Sequence, residues 1–283
     1  MRIFLTGGTG FIGSHFLNLA LNKGYKIIAL RRSPLSKVKI NIDQQPLWID
    51  KPLDTLKSNY FGESDILIHL AAHSANFPYD SLENCITYNL NKPLNLFNSA
   101  LSAGIKKFIV GGTCFEYGLS GTRFNKIPAN APLEPTSSYP TSKAAASIVF
   151  LQWAKEKKIS LSLLRFFQVY GEGELKTRLY PSLKRAALSN KDFPMTQGAQ
   201  IRDFIRVDHL VDKILQEVKF LTNENNKLVK IQNIGSNSPK SILEFSNEIW
   251  SNLNAKGKLL PGKIPYRDGE IMRYVPCLKP YFI

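Results

Sequence analysis

The chain has 283 residues, of which 43% are apolar and 21% charged, and its formal net charge is +15. This balance is that of a globular protein and excludes a disordered or fibrous chain. No apolar stretch approaches the ~18 residues of a membrane span, and no charged and then apolar leader opens the chain. We therefore expect a soluble, cytoplasmic protein with no membrane partner. Three scattered cysteines are too few for a disulfide framework or a zinc site, and no metal is expected.

The first predicted element is a strand over Arg2–Thr6, which runs into a Gly-rich turn and then a helix. Gly8, Gly10 and Gly13 form G-x-G-x-x-G, and starting from Gly7 the same turn also fits G-x-x-G-x-x-G. Small residues let the backbone approach a pyrophosphate, toward which the helix directs its positive N-terminus. Strand, turn and helix in this order predict a dinucleotide site. Its predicted cofactor contacts are Gly7, Gly10, Phe11, Ile12 and Gly13.

Strand-like and helix-like segments alternate over the first 170 residues, which predicts a parallel sheet with helices on both faces. The predicted fold class is therefore α/β, a Rossmann-type doubly wound parallel sheet with a smaller C-terminal substrate-binding lobe. The predicted strands are Arg2–Thr6, Lys26–Leu30, Leu47–Asp50, Ile66–Ala71, Lys107–Gly112 and Ser160–Phe166. The predicted helices are Ile12–Lys23, Ser81–Ala103 and Tyr139–Lys158.

Two units are predicted along the chain. Residues 1–170 form the dinucleotide-binding domain, and residues 171–205 and 235–283 form the smaller lobe. The segment 206–234 has the pattern of a helix followed by a strand, and we expect it to return to the sheet of the first domain. A ligand is then expected at the carboxyl ends of the strands, between the two units.

The end of the second strand indicates which dinucleotide binds. An NAD site usually has Asp or Glu here, bonded to the ribose 2′-hydroxyl. This chain has Arg31 and Arg32 instead, and guanidinium groups pair bidentately with phosphate oxygens. The sequence favours NADP(H), with NAD(H) as the alternative if both arginines are solvated loop residues. Asp50 ends the third strand, where a carboxylate either bonds an adenine amino group or forms a turn.

The spacing Tyr-x-x-x-Lys predicts acid–base chemistry, because it places a phenol and an ammonium on one helical face. Tyr139 and Lys143 have this spacing, and the lysine charge is expected to lower the phenol pKa from ~10 toward neutrality. The same spacing occurs at Tyr88–Lys92 and Tyr180–Lys184. Tyr139 is distinguished by the strand before it, which ends in the hydroxyl of Thr113. The predicted catalytic residues are Thr113, Tyr139 and Lys143.

Three segments together resemble the extended short-chain dehydrogenases/reductases, and more narrowly the NAD-dependent epimerase/dehydratase family that acts on nucleotide sugars. They are Thr6-Gly7-Gly8-Thr9-Gly10-Phe11-Ile12-Gly13, Thr113-Cys114-Phe115-Glu116-Tyr117-Gly118 and Tyr139-Pro140-Thr141-Ser142-Lys143. The resemblance implies an enzyme in which Thr113 bonds the reacting sugar oxygen and Tyr139 transfers its proton. It also implies that Lys143 holds the nicotinamide ribose. Ala71 is a further predicted cofactor contact.

Four more positions match motifs of that family, and the resemblance implies that they bind the nucleotide-sugar substrate. Asn89 matches the asparagine of the active-site helix, and Gln168 stands where the sixth-strand motif usually has Asn. Arg202 and Arg267 match arginines that contact the nucleotide diphosphate. The family often forms homodimers through helices equivalent to 81–103 and 139–158. Relatives usually continue for some tens of residues past the Arg267 motif, so we expect part of the substrate lobe to be exposed.

Departures from the family pattern narrow the predicted reaction. In the family's 4,6-dehydratases the Thr is usually followed by Asp and Glu, which perform the elimination. Here the two positions hold Cys114 and Phe115, a poor acid–base pair. Arg31 and Arg32 favour NADPH, the usual donor of a net reductase. The predicted function is therefore reduction of a nucleotide-activated 4-keto-6-deoxy sugar, with the hydride from nicotinamide and the proton from Tyr139.

Three alternatives stay open after this reasoning. The first is a nucleotide-sugar 4-epimerase of the UDP-glucose/galactose type, which would use the same three catalytic residues. The second is a 4,6-dehydratase, against which Cys114 and Phe115 argue. The third is a basic relative that binds nucleic acid, which the net charge of +15 would suit. The lysines are dispersed along the chain, which argues against that partner.

Overall fold

The computed structural model describes residues 1–223 and 228–283. Its strands are β1 (Arg2–Thr6), β2 (Lys26–Arg31), β3 (Leu47–Asp50), β4 (Ile66–His69), β5 (Lys107–Thr113), β6 (Ser160–Phe166), β7 (Gln168–Tyr170), β8 (Phe193–Pro194), β9 (Ile201–Arg206), β10 (Val229–Ile234), β11 (Pro239–Ser241), β12 (Leu259–Leu260), β13 (Arg273–Tyr274) and β14 (Tyr281–Phe282). Its α-helices are α1 (Phe11–Asn22), α2 (Leu82–Ile86), α3 (Lys92–Ser102), α4 (Ser138–Lys157), α5 (Leu179–Leu188), α6 (Val207–Asn223) and α7 (Ile242–Asn252). None of these helices is both long and apolar enough to cross a membrane.

The central sheet has the strand order β14-β10-β6-β5-β4-β1-β2-β3 in the described part of the chain. β14 pairs antiparallel with β10, and every other neighbouring pair in this sheet is parallel. The chain order reverses between β1 and β4, where Thr6 lies opposite His69. In open parallel sheets such a reversal leaves a crevice at the carboxyl ends of the strands, where ligands bind.

Helices cover both faces of this sheet, which explains the near-continuous apolar strands. Because strand side chains alternate, Ile3 and Ile66 pack with α1 and α6 on one face. Phe4 and Leu67 pack with α3 and α4 on the other face. The predicted α/β, Rossmann-type fold class is confirmed, as are the six predicted strands to within two residues at each end.

The helix predicted over 81–103 is interrupted, and here the prediction was wrong in detail. Between α2 and α3 the chain makes a π-helical turn, Thr87–Asn91. Pro93 follows closely and has no N–H to donate to the carbonyl of Asn89, four residues earlier. Such wide turns are frequent at functional sites, and this one contains a predicted site residue.

The C-terminal part of the chain adds a smaller layer over the carboxyl edge of the sheet. β9 pairs with β7, β11 and β13, and β8 pairs with β12. The rings of Phe204 and Phe245 stack at a centroid distance of 3.9 Å and join β9 to α7. After α6, β10 pairs with β6 in parallel. Residues 224–227 of the predicted 206–234 segment lie outside the described residues, and the domain boundaries stay a prediction.

Candidate active site

The Gly-rich turn lies at the reversal point of the sheet and is closely packed. Gly7 has a φ of +78°, and a Cβ there would be 2.5 Å from the backbone nitrogen of Ala71, so turn and Ala71 are adjacent. A Cβ on Gly13 would be 2.0 Å from the carbonyl oxygen of Gly7. α1 starts directly after its N-cap, Gly10. Since glycine carries no capping side chain, the first N–H groups of α1, from Phe11 onward, are open to an anion. This cradle fits a dinucleotide pyrophosphate.

The charged residues at the ends of β2 and β3 bind each other. Nε of Arg31 donates to Oδ1 of Asp50 at 2.5 Å, and the guanidinium lies 4.8 Å from the ring centroid of Trp48. Arg32 is exposed at the end of β2, whereas Arg31 and Asp50, both predicted as cofactor contacts, form a pair.

A cavity of about 440 Å³ opens beside Arg31. Its charged lining residues are Arg31, Lys37, Lys39 and Glu172. The loop 32–46, which carries both lysines, is held to α1 by a bond of 2.9 Å from the Lys39 N–H to Ser14 Oγ. Sequence reasoning missed these lysines because they lie between two strands in a segment without periodicity.

α4 brings Tyr139 and Lys143 to the carboxyl end of β5, where Thr113 lies. Tyr139 lies in the first turn of α4 and is buried, and Lys143 lies one turn later. Nζ of Lys143 donates to the carbonyl oxygen of Gly111 on β5 at 2.8 Å. Thr113 is the last residue of β5, and its hydroxyl accepts a bond of 3.3 Å from the Phe115 N–H. The trio therefore faces the same edge of the sheet as the Gly-rich turn.

Burial is the largest influence on the pKa values of Tyr139 and Lys143. It raises the pKa of Tyr139 above its ordinary value, and nearby Glu116 acts in the same direction. Burial also lowers the pKa of Lys143. The expectation that Lys143 lowers the phenol pKa is not met in this structure, because desolvation outweighs other effects and the lysine ammonium is bonded to the carbonyl of Gly111.

Glu116 is engaged in a buried network under the active site. Its carboxylate accepts bonds from Arg165 Nε at 2.7 Å, from the Thr113 N–H at 2.8 Å and from Ser147 Oγ at 2.7 Å. Burial raises the pKa of the Cys114 thiol to about 12. Neither residue is thus available as an acid or base for an elimination. In the sequence, the one indication of this network is Arg165, a charged residue within the apolar strand β6.

Asn89 is buried and connects two segments of the site. Its side chain accepts from the His73 N–H at 2.7 Å and donates to Ser142 Oγ on α4 at 2.9 Å. It thereby holds the loop after β4 against α4. The same loop places the ring of Tyr79 at a centroid distance of 5.5 Å from Tyr139. Asn89, predicted to bind substrate, here bonds protein groups.

The other predicted substrate residues lie in the C-terminal layer. Gln168 begins β7 and is half-buried. Nη2 of Arg202 donates to Oε1 of Glu270 at 2.8 Å and to the carbonyl oxygen of Ile271 at 2.6 Å, which ties β9 to the segment before β13. Arg267 is exposed on that segment.

Sequence reasoning missed a further arginine, Arg178, at the N-cap of α5. Its charge lowers the pKa values of Tyr79, Cys114 and Tyr139, against the larger effect of burial. The charge of Arg267 acts on Tyr79 in the same way. Arg178 therefore lies near enough to Tyr139 for its charge to act on the phenol.

The model of the NAD dependent epimerase/dehydratase family matches residues 3–235. The chain belongs to this family. It is 27% identical to UDP-arabinose 4-epimerase 1 of Arabidopsis thaliana, over 86% of this chain and 65% of that protein. It is 26% identical to dTDP-6-deoxy-L-talose 4-dehydrogenase (NAD(+)) of Aggregatibacter actinomycetemcomitans, over 96% of this chain and 98% of that one. Both relatives are enzymes by name.

The fold likeness extends to solved structures with ligands. The structure of MoeE5 in complex with UDP-glucuronic acid and NAD has a TM-score of 0.82 and 23% identity, over 99% of this chain and 90% of that chain. At this identity the likeness shows the Rossmann-type fold. The family resemblance drawn from the sequence motifs is confirmed by the family match.

Proposed function

We propose that this chain transfers a hydride between a nicotinamide cofactor and C4 of a nucleotide-activated sugar. The observation that carries the proposal is the placement of Tyr139 and Lys143 on α4 beside Thr113, at the same sheet edge as the Gly-rich turn. When bound, the cofactor supplies or accepts the hydride, and the chain's own residues bind, orient and move the proton.

In this proposal, the turn around Gly10 and the first N–H groups of α1 hold the pyrophosphate. Thr113 bonds the reacting sugar oxygen, and the hydroxyl of Tyr139 gives or takes its proton. Lys143, fixed by the carbonyl of Gly111, bonds the nicotinamide ribose. The arginines that bind the substrate diphosphate are Arg178, Arg202 and Arg267.

A 4-epimerase is the form of this reaction that the relatives favour over the reductase. The similar Arabidopsis protein is named as a UDP-arabinose 4-epimerase. Epimerisation returns the hydride to the sugar, so it requires no net exchange of cofactor. The site needs nothing beyond the trio for it, and the bonded Glu116 and the buried Cys114 leave elimination without an acid–base pair.

A net 4-keto-sugar reductase is the second candidate, and the cavity beside Arg31 favours it. Lys37 and Lys39 line this cavity, and together with Arg32 they supply positive charge near the end of β2, where an adenosine 2′-phosphate would lie. NADP(H) then binds in preference to NAD(H). Similarity to a dTDP-6-deoxy-L-talose 4-dehydrogenase (NAD(+)) is in line with net hydride transfer, while that protein is named for NAD(+).

Two assays on the purified chain separate these candidates. In the first, UDP-glucose, UDP-galactose and UDP-arabinose are incubated with NAD⁺, and the sugars are resolved by chromatography. In the second, dTDP- and CDP-linked 4-keto-6-deoxyglucose are mixed with NADPH or NADH, and the absorbance at 340 nm is followed. Interconversion in the first without net cofactor change supports the epimerase, and cofactor oxidation in the second supports the reductase. No product in either refutes the proposed reaction.

The cofactor preference has its own test. Lys39→Ala should weaken NADP⁺ binding about tenfold and leave NAD⁺ binding unchanged, because a charged contact to phosphate contributes about 1.4 kcal/mol. Asn41→Ala, on the same cavity wall, is the matched control and should alter neither. Equal weakening for both cofactors by Lys39→Ala would remove the argument for NADP(H).

A homodimer through α2 and α4 is part of the proposal. Leu82 on α2 and Ile148 on α4 are large apolar side chains that are exposed in the single chain. Light scattering should give twice the mass of the chain, and Ile148→Glu should reduce it to that of one chain. A wild-type mass of one chain at micromolar concentration refutes the dimer.

A further inference from the structure

The loop 171–178, here termed the bridge loop, connects β7 to α5 and touches both sides of the candidate site. On the cofactor side, Nε2 of His15 on α1 donates to the carbonyl oxygen of Glu172 at 2.8 Å. A Cβ on Gly173 would be 3.0 Å from the Lys39 side chain. On the substrate side the bridge loop ends at Arg178, whose charge reaches Tyr139.

Glu174, in the middle of the bridge loop, has a buried carboxylate with incomplete bonding. Its side chain is 8% exposed, and Oε1 accepts a long bond of 3.4 Å from Nε of Arg178. Oε2 has no partner, and among the described residues it is the one buried side-chain oxygen or nitrogen in this condition. A buried carboxylate oxygen without a hydrogen bond is costly when ionised and is relieved by a proton.

The charges around Glu174 explain why its ionisation depends on Arg178. Arg178 is the charged group that acts on it directly. The other charged or titratable groups at the bridge loop contact its neighbouring residues: Lys39 lies beside Gly173, and His15 bonds the carbonyl of the exposed Glu172. Burial raises the pKa of Glu174 to about 7, against the opposing charge of Arg178. The carboxyl group can therefore gain or lose a proton near neutral pH when its surroundings change.

We propose that Glu174 is a positioning residue for Arg178, and that it takes up a proton when the diphosphate of the substrate binds that guanidinium. This inference rests on the proposed function, since it takes the substrate to be a nucleotide sugar. Before binding, ionised Glu174 holds Arg178 at the substrate side. Once the phosphates have engaged Arg178, its positive charge no longer compensates Glu174, and protonation removes the uncompensated buried charge.

The expected signature is proton uptake on binding. Near neutral pH the wild-type chain should take up a measurable fraction of a proton per bound nucleotide sugar, and binding should tighten several-fold from pH 8 to pH 6. The sign follows from linkage: a step that takes up protons is favoured at lower pH. Calorimetric titration with UDP-glucose, CDP-glucose and dTDP-glucose, each in two buffers of different ionisation enthalpy, measures the number of protons. These ligands have no terminal phosphate that titrates in this range.

Three variants test the assignment to Glu174. Glu174→Gln keeps the shape of the side chain and should bind with no proton uptake. Glu174→Asp keeps the carboxyl group and should retain uptake. Glu63→Gln, at a side chain that is 94% exposed and outside the described site, is the control and should behave as wild type. Circular dichroism verifies that each variant is folded. If Glu174→Gln does not fold, the number of protons taken up by the wild-type chain still tests the proposal.

Several outcomes overturn the inference. They are wild-type binding without proton uptake, the same uptake in Glu174→Gln, and no binding of any of the three nucleotide sugars. The proposed reaction fails separately. If binding takes up a proton through Glu174 but neither turnover assay yields product, the inference stands and the reaction does not. If turnover occurs and proton uptake is absent, the proposed reaction stands and the inference about Glu174 does not.

Discussion

Replacing Glu116 with glutamine should destabilise the chain strongly, because the change leaves a buried arginine without its counter-charge. Glu116 is 0% exposed, and the side chain of Arg165 is 3% exposed. Removing one partner of such a pair costs about 3–5 kcal/mol of the unfolding free energy, since the remaining charge cannot reach water. Glutamine also replaces one acceptor oxygen with an NH2 group, so at least one of the three groups that donate to Glu116 loses its acceptor.

The structure offers an exposed pair at the same distance as a control. Lys240 and Glu248 are also 2.7 Å apart, but their side chains are 34% and 50% exposed. Glu248→Gln should therefore cost less than about 1 kcal/mol. The double variant Glu116→Gln/Arg165→Met removes the uncompensated charge and should recover part of the stability lost in Glu116→Gln.

Urea unfolding at pH 7, followed by circular dichroism, provides the free energies for the four chains. A cost for Glu116→Gln as small as that for Glu248→Gln would refute the reasoning that burial makes this pair indispensable. A double variant that is no more stable than Glu116→Gln would also contradict it. Because Glu116 accepts from the Thr113 N–H, the turnover of any folded Glu116→Gln chain should fall as well.

Three further outcomes are expected. Tyr139→Phe should reduce turnover by about 10²–10⁴-fold while the Kd for cofactor stays within about twofold, measured by steady-state assay and nucleotide fluorescence; unchanged turnover would exclude Tyr139 as the proton donor. Gly13→Ala should abolish cofactor binding because its Cβ overlaps the carbonyl of Gly7, whereas Gly104→Ala, at a φ of +94° with open space around its Cβ, should lower stability but leave cofactor binding unchanged. Burial and the charge of Lys143 lower the pKa of His69 to about 3. Below pH 6.5 this histidine therefore takes up a proton in the unfolded chain but stays neutral in the folded chain. The free energy of unfolding should fall by about 2 kcal/mol from pH 7 to pH 5, and urea unfolding of His69→Gln should not show this decrease.

The sequence by itself determined the order of the central strands along the chain, the Gly-rich turn and the Tyr139–Lys143 pair. These features depend on neighbours within a few residues. Alternating apolar runs identify strands, glycine allows the close approach that Gly13 makes to Gly7, and helical spacing puts Tyr139 and Lys143 on one face. The family resemblance follows from the same local motifs, and the family match confirms it.

The tertiary structure decided how charges and polar groups are used, because their partners are far away in sequence. Arg31 is predicted from the sequence to bind a phosphate, and the structure adds a partner that residue spacing did not indicate, the carboxylate of Asp50 on β3. Glu116 meets Arg165 from a strand 49 residues later, and Asn89 meets Ser142 from a helix 53 residues later. Burial, a property of the whole fold, raised the pKa values of Tyr139 and Glu174. Electrostatic energies depend on distance and solvent exposure in three dimensions, and neither quantity is encoded in residue spacing.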